Sequence, residues 1–336
     1  MTSGGPSQVV PGAKSVLFHV GLPKAASSFL QRHVFPGFSD ATFLHPASRE
    51  ISRYPKAFNS SSAFLAEFET ARQAILEAKH AKVIVSAEGF VGDSYHSFRD
   101  HEAKAAGLKA LWPDAAVLLV IRRQDRFCQS LFGQALRKGF PYDPARFLML
   151  EIDGAPAELI ARRFDYRAAD LDRLVRTYEN LFGEPRVFVV PLELLVENSA
   201  AFVGAVQSID NYQLAASPGA KVENKSYSTR GYRAARLLNR FCLDELDCGA
   251  RFFAWLDRKA GEGAFGWRAC RFALRSANRF LKRRVRRCVE RINKGGGEAA
   301  RPLTDWQLTR IREHFAPSNR ALSTRRSLGL ERYGYF

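Results

Sequence analysis

Apolar runs and amphipathic stretches alternate over the first two-thirds of this chain. Residues 15–20 form a short run, apolar at most positions, that ends at Gly21. Residues 82–87 and 115–121 repeat the pattern, and 186–190 reads Arg-Val-Phe-Val-Val before Pro191-Leu192-Glu193. Short, nearly continuous Val/Ile/Leu runs predict strands buried on both faces. Residues 41–45 predict a further short strand. Between these runs the apolar period lengthens to that of a helix, over 27–35, 62–80, 98–111, 123–138 and 169–182. The second of these carries Phe64, Leu65, Phe68, Ala71, Ile75 and Leu76 on one face. The third ends before Trp112-Pro113 and the last closes at Gly183, as helix-stopping residues require. Residues 139–166 contain Pro141, Pro144, Gly154 and Pro156 and read as a loop region inserted beside an active site.

Strand–helix repetition of this kind predicts an α/β fold: three layers, α/β/α, around a central parallel sheet. The expected organisation is a flexible tail over 1–14, an α/β domain over 15–230, and a C-terminal helical region over 231–336 packed on it. Ligands of such sheets sit at the carboxyl ends of the strands. Lys24, Glu88 and Arg122 all fall at predicted strand ends.

The first of those ends is the most informative. Gly21-Leu22-Pro23-Lys24-Ala25-Ala26-Ser27-Ser28-Phe29 joins a strand to a helix through a turn with one lysine and two adjacent hydroxyls. A helix N-terminus offers unbonded N–H groups and about half a positive charge, which suits an anion such as phosphate. The ATP/GTP loop, Gly-x-x-x-x-Gly-Lys-Ser/Thr, sets its lysine directly before the hydroxyl that holds magnesium. Here Lys24 stands three residues before Ser27, and no Gly-Lys-Ser/Thr occurs. The P-loop-type turn therefore suits a phosphate-like group held without that metal seat. No metal is expected.

Pro23-Lys24-Ala25-Ala26-Ser27-Ser28-Phe29-Leu30 resembles the 5′-phosphosulfate loop of sulfotransferases that use 3′-phosphoadenosine 5′-phosphosulfate (PAPS), whose usual form has Gly at position 26 and Thr at 27 and 28. In that family an arginine at a strand end and a serine eight residues later hold the 3′-phosphate. Arg122 and Ser130 have that spacing. Arginine suits the role because its planar fork grips two phosphate oxygens. In the family's carbohydrate enzymes a strand-end glutamate is the general base, and Glu88 takes that position. The likeness spans about 15–230 and includes Phe164 to Glu193 and Asn224-Lys225-Ser226, with a further match at Phe315-Ala316-Pro317-Ser318-Asn319-Arg320. It implies sulfuryl transfer from PAPS to an acceptor hydroxyl on a polysaccharide or glycolipid, giving a sulfate ester and PAP. A cofactor-covering segment is expected over 221–233, with Lys221, Lys225, Tyr227, Arg230, Tyr232 and Arg233, although no Arg-Lys-Gly signature stands there.

Each residue has a plainer reading. Lys24 in a Pro-containing turn is otherwise a solvated charge. Arg122 is otherwise a helix cap or a partner of Asp125, and Arg123 competes for the phosphate role. Glu88 is otherwise a helix-start carboxylate, which the dipole favours anyway. His19, inside a strand, reads as a packed core histidine. His96 and His101 stay open as acceptor-site residues.

Composition adds a partner question. The 336 residues carry a net charge of +17, unevenly placed. Residues 268–294 hold eleven Arg or Lys and one Glu, with Cys270, Leu274, Ala277, Leu281, Val285, Cys288 and Ile292 at steps of three and four. This predicts an amphipathic helix with a cationic outer face, ended by Gly295-Gly296-Gly297. Its readings are a surface helix packed by its stripe, a peripheral contact with an anionic membrane, and a track for an acidic glycan. No motif points to specific nucleic-acid binding. No apolar run approaches the length of about 20 residues that spans a bilayer. Residues 1–14 lack the charged start and apolar core of a secretion signal. Five cysteines without a Cys-x-x-Cys pair indicate neither a disulfide framework nor a zinc site. A cytoplasmic protein is expected, with the inner membrane surface as one place for it. Rival functions are a P-loop kinase or other nucleotide-binding protein using ATP, and a non-catalytic anion or membrane-surface binder.

Overall fold

A computed structural model describes residues 14–44, 70–140, 143–150, 163–215, 227–241, 265–294 and 298–336, with a few positions between 252 and 259. Five strands form one parallel sheet: β1 (Ser15–Gly21), β2 (Ala41–Leu44), β3 (Lys82–Ser86), β4 (Ala116–Ile121) and β5 (Val187–Pro191). Their spatial order is β2-β3-β1-β4-β5. The chain crosses over β1 between β3 and β4, so the carboxyl ends of β1, β3 and β4 flank the point where the winding reverses. Val16–Val20, Val83–Ser86 and Val117–Ile121 are buried along their lengths, as strands covered on both faces must be. The sheet is flanked by helices in the three-layer α/β/α arrangement anticipated above.

The helices are α1 (Ser27–Phe29), α2 (70–76), α3 (His101–Leu111), α4 (Gln124–Arg137), α5 (Pro144–Leu148), α6 (Leu171–Phe182), α7 (Leu192–Glu197), α8 (Ser199–Gln207), α9 (Thr229–Asn239), α10 (Phe265–Lys294) and α11 (Asp305–Arg326). Several sequence expectations shift. The helix over 27–35 is α-helical for one turn only and continues as a π-helical turn over Leu30–Val34 and a 3₁₀ turn over Phe35–Gly37. Pro36 cannot donate a backbone hydrogen bond, which prevents an ordinary helix from running past it. α7 and α8 were not anticipated. Lys14, placed in the tail, is held: its Nζ donates to the carbonyls of Ala78 at 2.5 Å and His80 at 2.9 Å. Residues 1–13, positions 62–69 of the expected helix 62–80, and Lys221 and Lys225 of the covering segment lie outside the described residues.

The expected apolar stripe on the basic helix is only partly used. α10 packs through Asn278, Val285, Val289 and Asn293, a stripe rotated from the predicted one. Leu274, Leu281, Cys288 and Ile292 are left exposed. The partner decides this. α9 presents Ala235 and Leu238 around Val289, and Asn293 Oδ1 accepts the Ser228 N–H at 2.6 Å. α11, by contrast, sends Ile311, Phe315 and Leu322 into the core that holds the strands.

Candidate active site

The loop after β1 is shaped by two residues in the left-handed region, Lys24 (φ 64°) and Ala26 (φ 60°). Alternating handedness turns successive backbone N–H groups inward, the concavity that receives anions. Ala26 occupies the N-cap of α1 without a side-chain cap, so the first-turn N–H groups find no cap partner there. Gly21 (φ 121°) permits the close approach just before it: a Cβ there would meet the Glu88 carbonyl at 3.4 Å and Pro23 N at 3.3 Å. Pro23, Ala25, Ser27 and Phe29 are buried, while Lys24, Ala26 and Ser28 are partly exposed.

β3 brings Glu88 to this loop. It opens a 3₁₀ turn, Glu88–Val91, directly beyond the strand. Its carboxylate lies beside Ser27, whose hydroxyl donates to the Leu22 carbonyl at 3.3 Å, and in the field of Lys24. Burial raises the Glu88 pKa above the usual carboxylate value, and Lys24 and Ser27 only partly offset it. Burial likewise lowers Lys24; Glu88 opposes that shift, while Arg137, Lys138 and Arg122 add to it. The two groups lie in each other's field, both partly desolvated, at the carboxyl ends of β1 and β3.

β4 brings the arginines, and their roles separate. Arg123 grips Asp125 with two hydrogen bonds, at 2.7 and 3.0 Å, and donates to the Tyr333 carbonyl at 3.2 Å. Its fork is committed to the fold. Arg122 instead donates to the Lys24 carbonyl at 2.8 Å, tying the strand end to the anion loop. Burial lowers its pKa, against the pull of Glu193 and Tyr335.

Residues at both ends of α4 act electrostatically on Lys24: Arg122 precedes it, and Arg137 and Lys138 close it. Ser130 stands midway along the helix and is partly exposed. Asn239 of α9 fixes its far end by donating to the Leu136 carbonyl at 2.7 Å. Lys138 Nζ stands 4.0 Å from the ring centre of Tyr95, and Arg137 lies 4.9 Å from that of Tyr227. Arg137 and Lys138 escaped the sequence reading, although a basic pair closing the helix that Arg122 precedes was there to see. Arg230 stands exposed in the first turn of α9.

The histidines resolve differently. His19 is buried, with its pKa pushed down to about 3, and its Nδ1 lies 2.7 Å from Ser86 Oγ; it is the packed core histidine expected. His101 is also buried, with Nδ1 2.8 Å from the Val91 carbonyl, and cannot face an acceptor without leaving the core. His96 is exposed and pairs with Asp93 at 2.7 Å. Among the described residues no group of three His, Cys, Asp or Glu is arranged to hold a metal ion.

With this geometry in hand, similarity to known proteins is limited to distant solved structures. No protein-family model matches the chain, and no curated protein matches it. One similar structure is a sulfotransferase from Alicyclobacillus acidocaldarius, 17% identical, covering 76% of this chain and 99% of that one, with a TM-score of 0.42. Another is the sulfotransferase domain of the curacin biosynthetic pathway, 10% identical, covering 60% of this chain and 75% of that one, with a TM-score of 0.34. Both superpose loosely, so the functional reading rests on the residues of the site itself.

Proposed function

We propose that this protein transfers a sulfuryl group from PAPS to an acceptor hydroxyl, on a polysaccharide or glycolipid, releasing a sulfate ester and PAP. The carrying observation is the meeting of Lys24, Ser27, Glu88 and Arg122 at three adjacent strand ends, with Arg122 bonded to the anion loop itself. Residues 23–29 would cradle the 5′-phosphosulfate. Arg122, with Ser130, would take the 3′-phosphate, a group ATP lacks; Arg123 is already engaged by Asp125. Arg230 belongs to the expected cover over the nucleotide.

The residues then have distinct tasks. Glu88 accepts the proton as the acceptor oxygen forms its bond to sulfur. A carboxylate raised in pKa yet ionised is a stronger base than an ordinary one. As the bond from sulfur to the bridging phosphate oxygen breaks, Lys24 neutralises the charge growing on that oxygen. Ser27 and Ser28 hold the phosphate. No observation favours the kinase reading, since the Gly-Lys-Ser/Thr that seats magnesium is missing.

The test is calorimetry of the purified chain with PAP, with 5′-AMP, and with ATP plus magnesium, followed by sulfate transfer from labelled PAPS to a glycan panel. PAP is expected to bind at least tenfold more tightly than 5′-AMP. Equal affinities, or a preference for ATP with magnesium, would overturn the assignment.

A further inference from the structure

α10 combines two properties that the catalytic reading does not use. Its packed stripe faces α9, and beside that stripe lies an apolar flank that covers nothing described: Leu274, Leu281 and Ile292 are exposed, with Ala277 and Cys288 between them. Phe280 and Phe272 are also open, at 61% and 71% exposure. The rest of the helix surface is cationic. Arg283, Arg284, Arg287 and Arg291 are exposed, and Glu290 is the only acidic residue between 265 and 294. Glu290 is engaged by Arg286 at 2.8 Å. A helix built only to be solvated has no use for two exposed phenylalanines and three exposed aliphatics. A track for a polyanion needs the arginines but not the apolar flank. Apolar side chains bordered by arginines on one helix are the arrangement that lies in a bilayer interface, with the cations among anionic headgroups.

No helix is long and apolar enough to cross a membrane, so the contact would be peripheral. α10 also packs beside a residue that acts on Lys24. Lys282, Val285, Arg286 and Val289 line one small cavity with Arg137 and Tyr227, and Arg137 acts on Lys24. A surface held by α10 is thus one helix away from Lys24.

We infer that the outer face of α10 seats the protein on an anionic lipid surface, with Phe280 and Leu281 entering the interface and Arg283, Arg284 and Arg287 contacting headgroups. The inference stands independently of the sulfuryl-transfer reading.

The experiment is vesicle co-sedimentation of the full chain at about 0.1 M salt. The probes are vesicles of phosphatidylcholine alone and of phosphatidylcholine with phosphatidylglycerol at about 7:3. Binding is expected to the mixed vesicles only. Each arginine near the surface contributes roughly fivefold, so R283Q/R284Q/R287Q should weaken binding about a hundredfold. F280S/L281S should weaken it at least about tenfold, because two apolar side chains no longer enter the interface. Both variants should melt with the parent. Three outcomes would overturn the inference: no binding to the mixed vesicles; full binding by F280S/L281S with displacement by heparin, which marks a polyanion track; or a lowered melting point for F280S/L281S, which marks those side chains as packed within the protein.

Discussion

At the residue scale, the proposed chemistry turns on two groups whose ionisation is shifted in opposite directions. Glu88 must be deprotonated to act as a base, and burial raises its pKa, so activity is lost as pH falls through a value above the ordinary 4.5. Lys24 must be protonated, and burial lowers its pKa, so activity is lost as pH rises through a value below the ordinary 10.5. The expected profile of kcat/KM against pH is a bell narrower than the interval between those values; a flat profile would remove both roles. Lys24→Ala should abolish transfer while the melting point is retained, because the side chain is partly exposed and fills no core position. Glu88→Gln should keep PAP affinity and lose the acid limb together with about 10²–10⁴-fold in rate. Ala26 offers a test of the loop. A non-glycine residue in the left-handed region costs roughly 1–2 kcal/mol, and replacing it by glycine returns part of that as unfolded-state entropy. Ala26→Gly is therefore expected to stabilise the protein by about 0.5–1 kcal/mol with activity kept. A loss of stability in chemical denaturation would contradict the observed φ.

At the element scale, α4 and α11 are joined by a buried amide pair. Gln124 Nε2 donates to Asn319 Oδ1 at 2.8 Å, and Asn319 Nδ2 donates to Gln124 Oε1 at 3.1 Å and to the Tyr335 carbonyl at 3.0 Å. Tyr335 in turn donates to Glu193 Oε2 at 2.8 Å, and Glu193 Oε1 accepts the Arg123 N–H at 3.1 Å. This chain of bonds sets the start of α4 and hence Arg122. Asn319→Ala leaves Gln124 and the Tyr335 carbonyl unpaired in the core, at about 1–3 kcal/mol each for the stranded groups. The expected result is a lower melting point together with weaker PAP binding. Unchanged PAP affinity would show that Arg122 is positioned without it.

At the scale of the whole molecule, the C-terminal helix belongs to the sheet's own core. Ile311, Phe315, Leu322, Leu330 and Tyr335 sit in one apolar cluster with Val16–Phe18 and Val117–Ile121. Arg325 pairs with Asp172 at 2.6 Å and also with Glu179, locking α11 onto α6. One cooperative transition is expected in calorimetry. Leu330→Ala should lower the stability of the whole sheet by about 2–5 kcal/mol, the cost of a buried leucine's lost contacts and cavity. A separate early transition for 305–336 would contradict the shared core. α10 belongs to the other extreme: much of its surface is solvent-exposed, and its amides should exchange faster than those of α11.

Local pattern alone determined the strands, their parallel pairing, and the convergence of Lys24, Glu88 and Arg122 at strand ends. Those features follow from apolar period and from the short reach of a βα turn, which a linear chain carries within a few residues. The helix limit at Pro36 is a local property, a missing N–H, whereas the rotated stripe on α10 was not legible, because a neighbour's shape chooses which of two apolar faces is buried. Only the tertiary structure separated Arg122 from Arg123: the two are adjacent and chemically alike, and Asp125 and the Tyr333 carbonyl claim one of them. It also brought Arg137 and Lys138 into the field of Lys24, since the placement of α4 depends on α9, α11 and the C-terminal residues packed around it. Charge type and spacing are written along the chain, whereas which charge remains available for a ligand is decided by partners that arrive from up to 210 residues away.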